Sequence, residues 1–255
     1  MSMSAKRVVL TIDDGPTEHF LRKCDYLQKN NIKAVFFCIG QQLEAMPDMA
    51  IKAIRNGFII GNHSYSHPHF SDLSLTDAFK EVEKTHIIID GLYKAADIPR
   101  PVNWFRFPFG DKGDGCYGKV FSRPRRAGKV RRQVIQFCLQ QLGYTQPEFH
   151  GITYPFYRKA SLLTDIDWHW TFDIMEWNLR MPRPDPGFNT SEKILQRLES
   201  NRPKDCRGLH SRDKRWIGNP HSEEIILLHD HIETTELFFR IIDKLLSLPL
   251  QFGMP

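Results

Sequence analysis

No stretch of about 18 apolar residues occurs in the 255-residue sequence, which excludes a transmembrane helix. Cysteine is sparse: Cys24, Cys38, Cys116, Cys138 and Cys206 are odd in number and scattered, and no two stand at C-x-x-C spacing. Neither a thiolate zinc site nor a disulfide framework is indicated, and a reducing compartment fits. Charge of one sign is not in large excess, with 35 Lys+Arg against 30 Asp+Glu and a formal net charge of +5. That is too little to argue for a nucleic-acid partner. Low-complexity tracts and internal repeats are also missing. The opening "MSMSAKRVVL" runs into a strand without the apolar core of a signal peptide. With Met1 as the native start, the expected location is the cytoplasm, an exported mature fragment being the alternative.

What is present is an ordinary globular composition, 41% apolar and 25% charged. Short apolar runs alternate with amphipathic stretches: "RVVLTI", "TEHFLRKCDYLQKNN", "KAVFFCI", a second helical stretch up to Asn56-Gly57, "FIIGN", then "LTDAFKEVEKTHIIIDGLYKAA". This rhythm predicts βαβ units around a parallel sheet. Thr17 is the expected N-cap of the first helix, and Asn30, Asn31 and Gly57 are the expected helix stops. After "WFRFPFG" the pattern breaks into a Gly- and Arg-rich stretch, 111–128, before a helical "KVRRQVIQFCLQQLG". Further irregular regions precede "TFDIMEWN" and separate a helix near 191–201 from the final strand "EEIILL" and a last helix over 234–247. No polar linker divides two periodic regions, so residues 1–255 are expected to form a single domain with long loop insertions.

Polar groups collect at strand exits: Asp13-Asp14 after "VVLTI", His63 after "FIIGN", Arg106 within "WFRFPFG", and His229-Asp230 after "EEIILL". In parallel α/β folds these ends open on one face, where residues distant in sequence meet. His63 and His67, at i and i+4 in "NHSYSH", can reach one metal from a single helical turn. A carboxylate of the Asp13-Asp14 pair is the natural third ligand, leaving room for water. One carboxylate can then hold the metal while its neighbour accepts the water's proton. Consecutive strand residues face opposite ways, so the turn at Gly15-Pro16, which Asp also suits as ordinary turn chemistry, must bring both carboxylates to the site.

The ordered segments "TIDDGP", "HSYSH", the R-x-P-x-G of "RFPFG", and "LLHD" resemble the motifs of the NodB-homology polysaccharide deacetylases, carbohydrate esterase family four. The resemblance implies an α/β fold, a distorted (β/α) barrel, and removal of acetyl groups with a divalent metal, zinc above all and cobalt or nickel as substitutes. It implies that Asp13 is the general base and that Asp14, His63 and His67 are the metal ligands. Arg106 would orient Asp13, the backbone N–H of Phe109 would help hold the oxyanion, His229 would protonate the leaving amine, and Leu227 would line the acetyl pocket. The fourth motif departs from the pattern: "DIMEW" has Glu176 where the family has a second Asp. Glu176 is the expected partner of His229, with Asp173, Asp165 and Asp167 as competitors, and Trp177 either walls the acetyl pocket or belongs to the core.

The run "SRPRRAGKVRR" contributes Arg123, Arg125, Arg126, Lys129, Arg131 and Arg132, enough charge for an anionic substrate although most such runs are merely solvated. Trp216 could stack on a sugar or anchor a loop. The function expected is metal-dependent hydrolysis of an N-acetyl or related acyl group on an amino sugar or polysaccharide. A small non-sugar amide or cyclic imide is the alternative substrate. A catalytically dead glycan-binding module is the rival from another class, against which the retention of Asp13 and His229 argues.

Overall fold

The computed structural model describes residues 5–116, 124–159, 162–200 and 216–255. Along the chain, β1 (Lys6–Gly15), α1 (Phe20–Lys29), β2 (Ala34–Cys38), α2 (Gly40–Ala45), α3 (Pro47–Arg55), β3 (Ile59–Asn62) and α4 (Leu75–Ala96) come first. They are followed by α5 (Arg126–Gln141), α6 (Pro155–Lys159), β4 (Phe172–Asp173), α7 (Ser191–Glu199), β5 (Glu224–His229), α8 (Thr235–Leu246) and β6 (Leu250–Phe252). The sheet order is β3-β2-β1-β5-β4, with β6 alongside the start of β1, and every ladder is parallel. None of the described helices is long and apolar enough to cross a membrane.

Strand alternation sorts the side chains into two layers. Val8, Leu10 and Ile12 of β1, Phe36 of β2 and Ile226 and Leu228 of β5 join one cluster with Leu27, Ile54, Ile89 and Phe238 of the surrounding helices. Val9, Val35, Phe37 and Ile225 point the other way and pack with Trp104, Tyr154, Tyr157 and Trp168 inside the curved sheet. Asp13 and Thr11 share the inner parity of Val9, and His229 and Leu227 share that of Ile225. The same alternation that builds the core therefore aims the functional groups inward at the strands' C-terminal ends.

The α/β class and parallel strands are as expected, and the barrel is distorted in a specific way. Among the described residues the ladder does not close between β4 and β3. Isolated backbone bonds cross the gap instead: Asn62 N–H to Trp104 O at 2.9 Å, Arg106 N–H to Asn62 O at 3.0 Å, and Trp168 N–H to Phe105 O at 2.8 Å. These bonds place Arg106 and the stretch leading into β4 beside the site.

Several local expectations are corrected. Thr17 does not cap α1, whose N-cap is His19; its N–H and hydroxyl instead bond the buried Asp230 carboxylate at 2.7 and 3.0 Å. Tertiary contact with Asp230, just beyond β5, outweighs the local capping preference. The stretch up to Asn56-Gly57 is two helices, broken at Met46 before Pro47, and Arg126 to Gly128, expected in an irregular stretch, open α5. Asn31 and Gly57 do adopt the left-handed conformation that stops a helix, with φ of 56° and 85°. Ser74 caps α4 by accepting a bond from the Asp77 N–H at 3.1 Å.

Candidate active site

Asp13 lies in register with His229 of β5 on one side and Phe37 of β2 on the other. One residue later the β1–β2 register slips, so that Gly15 rather than Asp14 opposes Cys38. Asp14 sits in this bulge with φ 70°, a conformation that costs a non-glycine residue energy and is held by its surroundings. The bulge turns two adjacent carboxylates toward one place: His63 Nε2 lies 3.6 Å from Asp13 Oδ2 and 3.4 Å from Asp14 Oδ1. The turn that follows is anchored by Asp230, which bonds Thr17 and the fully buried Lys23, the latter at 2.5 Å.

Arg106 is completely buried and gives Nη1 bonds to Asp13 Oδ1 at 2.8 Å and Thr11 Oγ1 at 2.7 Å. Its guanidinium lies 4.3 Å over the Phe37 ring. Truncating Arg106 would leave Asp13 a buried, unpaired charge, a loss of about 3 to 5 kcal/mol. Arg106 is thus a poor site for a clean functional test.

The sequence spacing suggests a helical turn for His63 and His67, and here the structure differs. Residues 63–69 are irregular, with φ of 65° at Ser64 and 59° at His67. Glu81 of α4 holds the loop by accepting the Tyr65 and Ser66 N–H groups at 2.9 and 2.7 Å. Gly40 lets α2 approach closely: a Cβ there would stand 2.3 Å from Thr85 Oγ1, and its N–H bonds Ser64 O at 2.9 Å. Positive-φ turns replace helical pitch, yet the two rings still meet, with centroids 4.9 Å apart.

At the opposite wall, Glu176 Oε1 accepts bonds from His229 Nδ1 at 2.9 Å and from the His229 backbone N–H at 2.7 Å. Burial opposes charging of His229, but the Glu176 carboxylate, its hydrogen bond and the nearby Asp14 and Asp13 outweigh it, and the pKa is pushed up to about 10. Asp173 makes other bonds, accepting the Met175 N–H at 2.8 Å and Trp177 Nε1 at 3.2 Å. Asp165 and Asp167 pair with Lys112 at 2.5 and 2.9 Å. Of the four carboxylates, Glu176 is the one hydrogen-bonded to His229.

The remaining expectations divide. Leu227 is buried on the inner face of β5, opposite Thr11 and Asp173. Phe109, at φ 57°, exposes half its surface and stacks its ring 4.0 Å from His69, with His67 at 4.5 Å. Trp177 leans its body on the main core. Trp216 is placed away from the site: it bonds Asn219, whose amide reaches Tyr154 beside Glu224, at the start of β5. The basic run is largely helical, and two of its charges are committed internally. Arg131 bonds Phe70 O and Leu73 O at 2.9 and 2.7 Å, and Arg132 pairs with Asp165 and Asp114. Arg125, Arg126 and Lys129 are exposed, while Arg123 and Cys206 lie outside the described residues.

Three contributors escape the sequence reading: Thr11, Lys23 and His231. His231 Nε2 lies 2.8 Å from Asp14 Oδ2. Thr11 could have been found from the strand period, two residues before Asp13 on the same face. His231 carries only the weaker signal of an imidazole two residues beyond His229.

Asp14, His63 and His67 present ligand atoms that all lie within 4.8 Å of one another. The donors fit a divalent cation. His63 Nδ1 bonds Arg106 O at 2.8 Å, which places its proton there and leaves the Nε2 lone pair facing Asp14. Asp14 Oδ1 is buried without a hydrogen-bond partner among the described residues, the state expected of an oxygen reserved for a metal. Burial pushes the Asp14 carboxyl up, but its contacts with His231, His63 and His67 prevail and hold it well below the usual range, ionised as a ligand must be.

A polysaccharide deacetylase family model matches residues 1–118. The peptidoglycan-N-acetylglucosamine deacetylase of Bacillus cereus is 35% identical over 105 residues, 41% of this chain and 36% of that protein. The chitin deacetylase of Colletotrichum lindemuthianum is 32% identical over 121 residues, 44% of this chain and 46% of that one. The match thus spans less than half the length of either relative. Among solved structures, a family 4 carbohydrate esterase from Streptomyces lividans in complex with acetate is similar with a TM-score of 0.58 at 21% identity, over 98% of this chain and 92% of that one. A family 4 pseudoenzyme from Bacillus anthracis is similar with a TM-score of 0.55 at 22% identity, over 96% of this chain and 62% of that one. The fold therefore occurs in a pseudoenzyme too, and activity has to be argued from the site. Residues 1–118 thus match the polysaccharide deacetylase family, and nearly the whole chain shares the fold of a family 4 carbohydrate esterase.

Proposed function

We propose that the protein is a metal-dependent deacetylase that hydrolyses an acetamido group on a carbohydrate, giving acetate and a free amine. The observation that carries this reading is the facing pair in register across β1 and β5. Asp13 is held by Arg106, and His229 is held charged by Glu176, with Asp14, His63 and His67 gathered beside them. A divalent cation bound by Asp14, His63 and His67, for which zinc suits the donors best, would lower the pKa of a coordinated water and polarise the acetyl carbonyl.

Asp13 takes the proton of the attacking water; Arg106 fixes the carboxylate for this and offsets its charge. His229 gives its proton to the departing nitrogen, so that a neutral amine leaves rather than an amide anion. Glu176 keeps His229 protonated for that step and orients the ring through Nδ1. Leu227 supplies apolar surface for the acetyl methyl, while Trp177, packed on the main core, bonds Asp173. The names of the relatives, which act on peptidoglycan or chitin, point to an N-acetylated glycan as the substrate class.

The ligand assignment has a direct test. Protein purified without added metal is expected to carry one zinc per chain by elemental analysis, and His63→Ala to carry almost none, since losing one of three protein ligands leaves an incomplete site. Cobalt or nickel added to the stripped protein should restore binding to wild type and not to the variant. Unchanged metal content in His63→Ala would refute the ligand set.

A further inference from the structure

Asp14 has two carboxylate oxygens, and the three proposed ligands account for one. Oδ1 faces His63 and His67 Nε2, at 3.4 and 3.1 Å, while Oδ2 lies 2.8 Å from His231 Nε2. His231 is not itself within the group whose ligand atoms lie mutually within 4.8 Å. It stands behind the carboxylate. An ionised carboxylate only accepts, so His231 Nε2 donates the proton of this bond.

The ring is pre-set for this contact. Lys23 Nζ and Thr235 Oγ1 bond the His231 carbonyl at 3.0 and 3.2 Å, fixing its backbone. The ring packs parallel to His229, with centroids 5.1 Å and planes 15° apart. Its Nδ1 has no hydrogen-bond partner among the described residues, and the residue is only 7% exposed. A buried imidazole whose one polar contact is the far oxygen of a candidate metal ligand has little else to contribute.

We infer that His231 is a positioning residue that holds Asp14 Oδ2 away from the cation site, so that Asp14 offers a single oxygen, Oδ1. The inference rests on the metal reading proposed above. It makes the end of β5 and the residues just beyond it serve two ends, with His229 facing the leaving group and His231 orienting a ligand.

The test compares wild type, His231→Gln and His231→Leu by zinc affinity, measured in competition with a chromophoric chelator, and by the visible absorption of the cobalt-loaded proteins. His231→Leu is expected to bind zinc about 10- to 100-fold more weakly and to change the cobalt bands, whereas His231→Gln, whose amide still donates, stays within about threefold of wild type. Undiminished zinc affinity in His231→Leu would overturn the inference. So would a Gln variant as weak as the Leu variant, because the loss would then reflect packing and not the donated bond. A wild type that takes up no zinc would overturn the metal reading itself, and is recognisable because it fails before any substitution is made.

Discussion

Asp13→Asn is expected to keep its metal and lose about 10²- to 10⁴-fold in turnover, the usual contribution of a positioned proton acceptor. The amide preserves shape, and its oxygen can still accept the Arg106 Nη1 bond now made to Asp13 Oδ1 at 2.8 Å. What it cannot do is take a proton. Because Asp13 is not among the mutually close ligand atoms, the metal content of the variant should equal that of wild type. Elemental analysis and steady-state kinetics on the same preparation separate the two properties. Turnover within a few-fold of wild type would mean that another group serves as base, and loss of metal together with activity would make Asp13 a ligand.

The second large effect concerns the acid. With its pKa pushed up to about 10, against an ordinary value near 6.5, His229 is protonated across the neutral range. The linkage follows directly. The His229–Glu176 pair stabilises the fold in full below about pH 6.5, and that contribution fades as pH rises toward 10. Glu176→Gln keeps an acceptor for both His229 bonds and removes the anion, so deprotonation becomes easier. The alkaline limb of kcat against pH should fall by roughly 1 to 3 pH units. Asp173→Asn should move it less, because that carboxylate is bonded to Met175 and Trp177 rather than to the ring. A limb that stays in place in Glu176→Gln, or moves further in Asp173→Asn, would assign the partner wrongly.

The parts of the site legible in the sequence are those written in local pattern. Strand exits follow from apolar runs ending in polar residues, which is why Asp13, His63, Arg106 and His229 group together in the sequence itself. Period-two alternation also contains the inward direction of Asp13 and His229. The conformations that complete the site are set by distant contacts. Asp14 reaches φ 70° only because β1 slips one residue against β2 while Asp230 and Lys23 anchor the following turn. The His63–His67 spacing gave the meeting of the rings but the wrong backbone, since two positive-φ residues replace the helical turn. The bridging of the gap between β3 and β4 rests on isolated backbone bonds that no propensity scale registers. Of the two readings open for Trp216, the contacts of its loop with Asn219 and Tyr154 favour the loop anchor, a choice composition could not make because it does not say which end of β5 a loop returns to.

The altered fourth motif shows what one added carbon can do. Glu176 lies in a 3-10 turn, Glu176–Arg180, entered through Met175 at φ 72°, and reaches His229 from there. The shorter Asp173, on β4, is left to hold that turn through the Met175 N–H. The two acids of "DIMEW" thus divide the work, Asp173 holding the turn and Glu176 bonding His229.

The measurement that bears most directly on the account is acetate release from N-acetylated glycans, chitin oligomers and peptidoglycan fragments among them, before and after stripping with a chelator. The account predicts release by the loaded protein, its abolition by chelation, and recovery on adding back zinc. Release that persists after complete metal removal, or the absence of release from every acetylated glycan by protein shown to hold its metal, would contradict it.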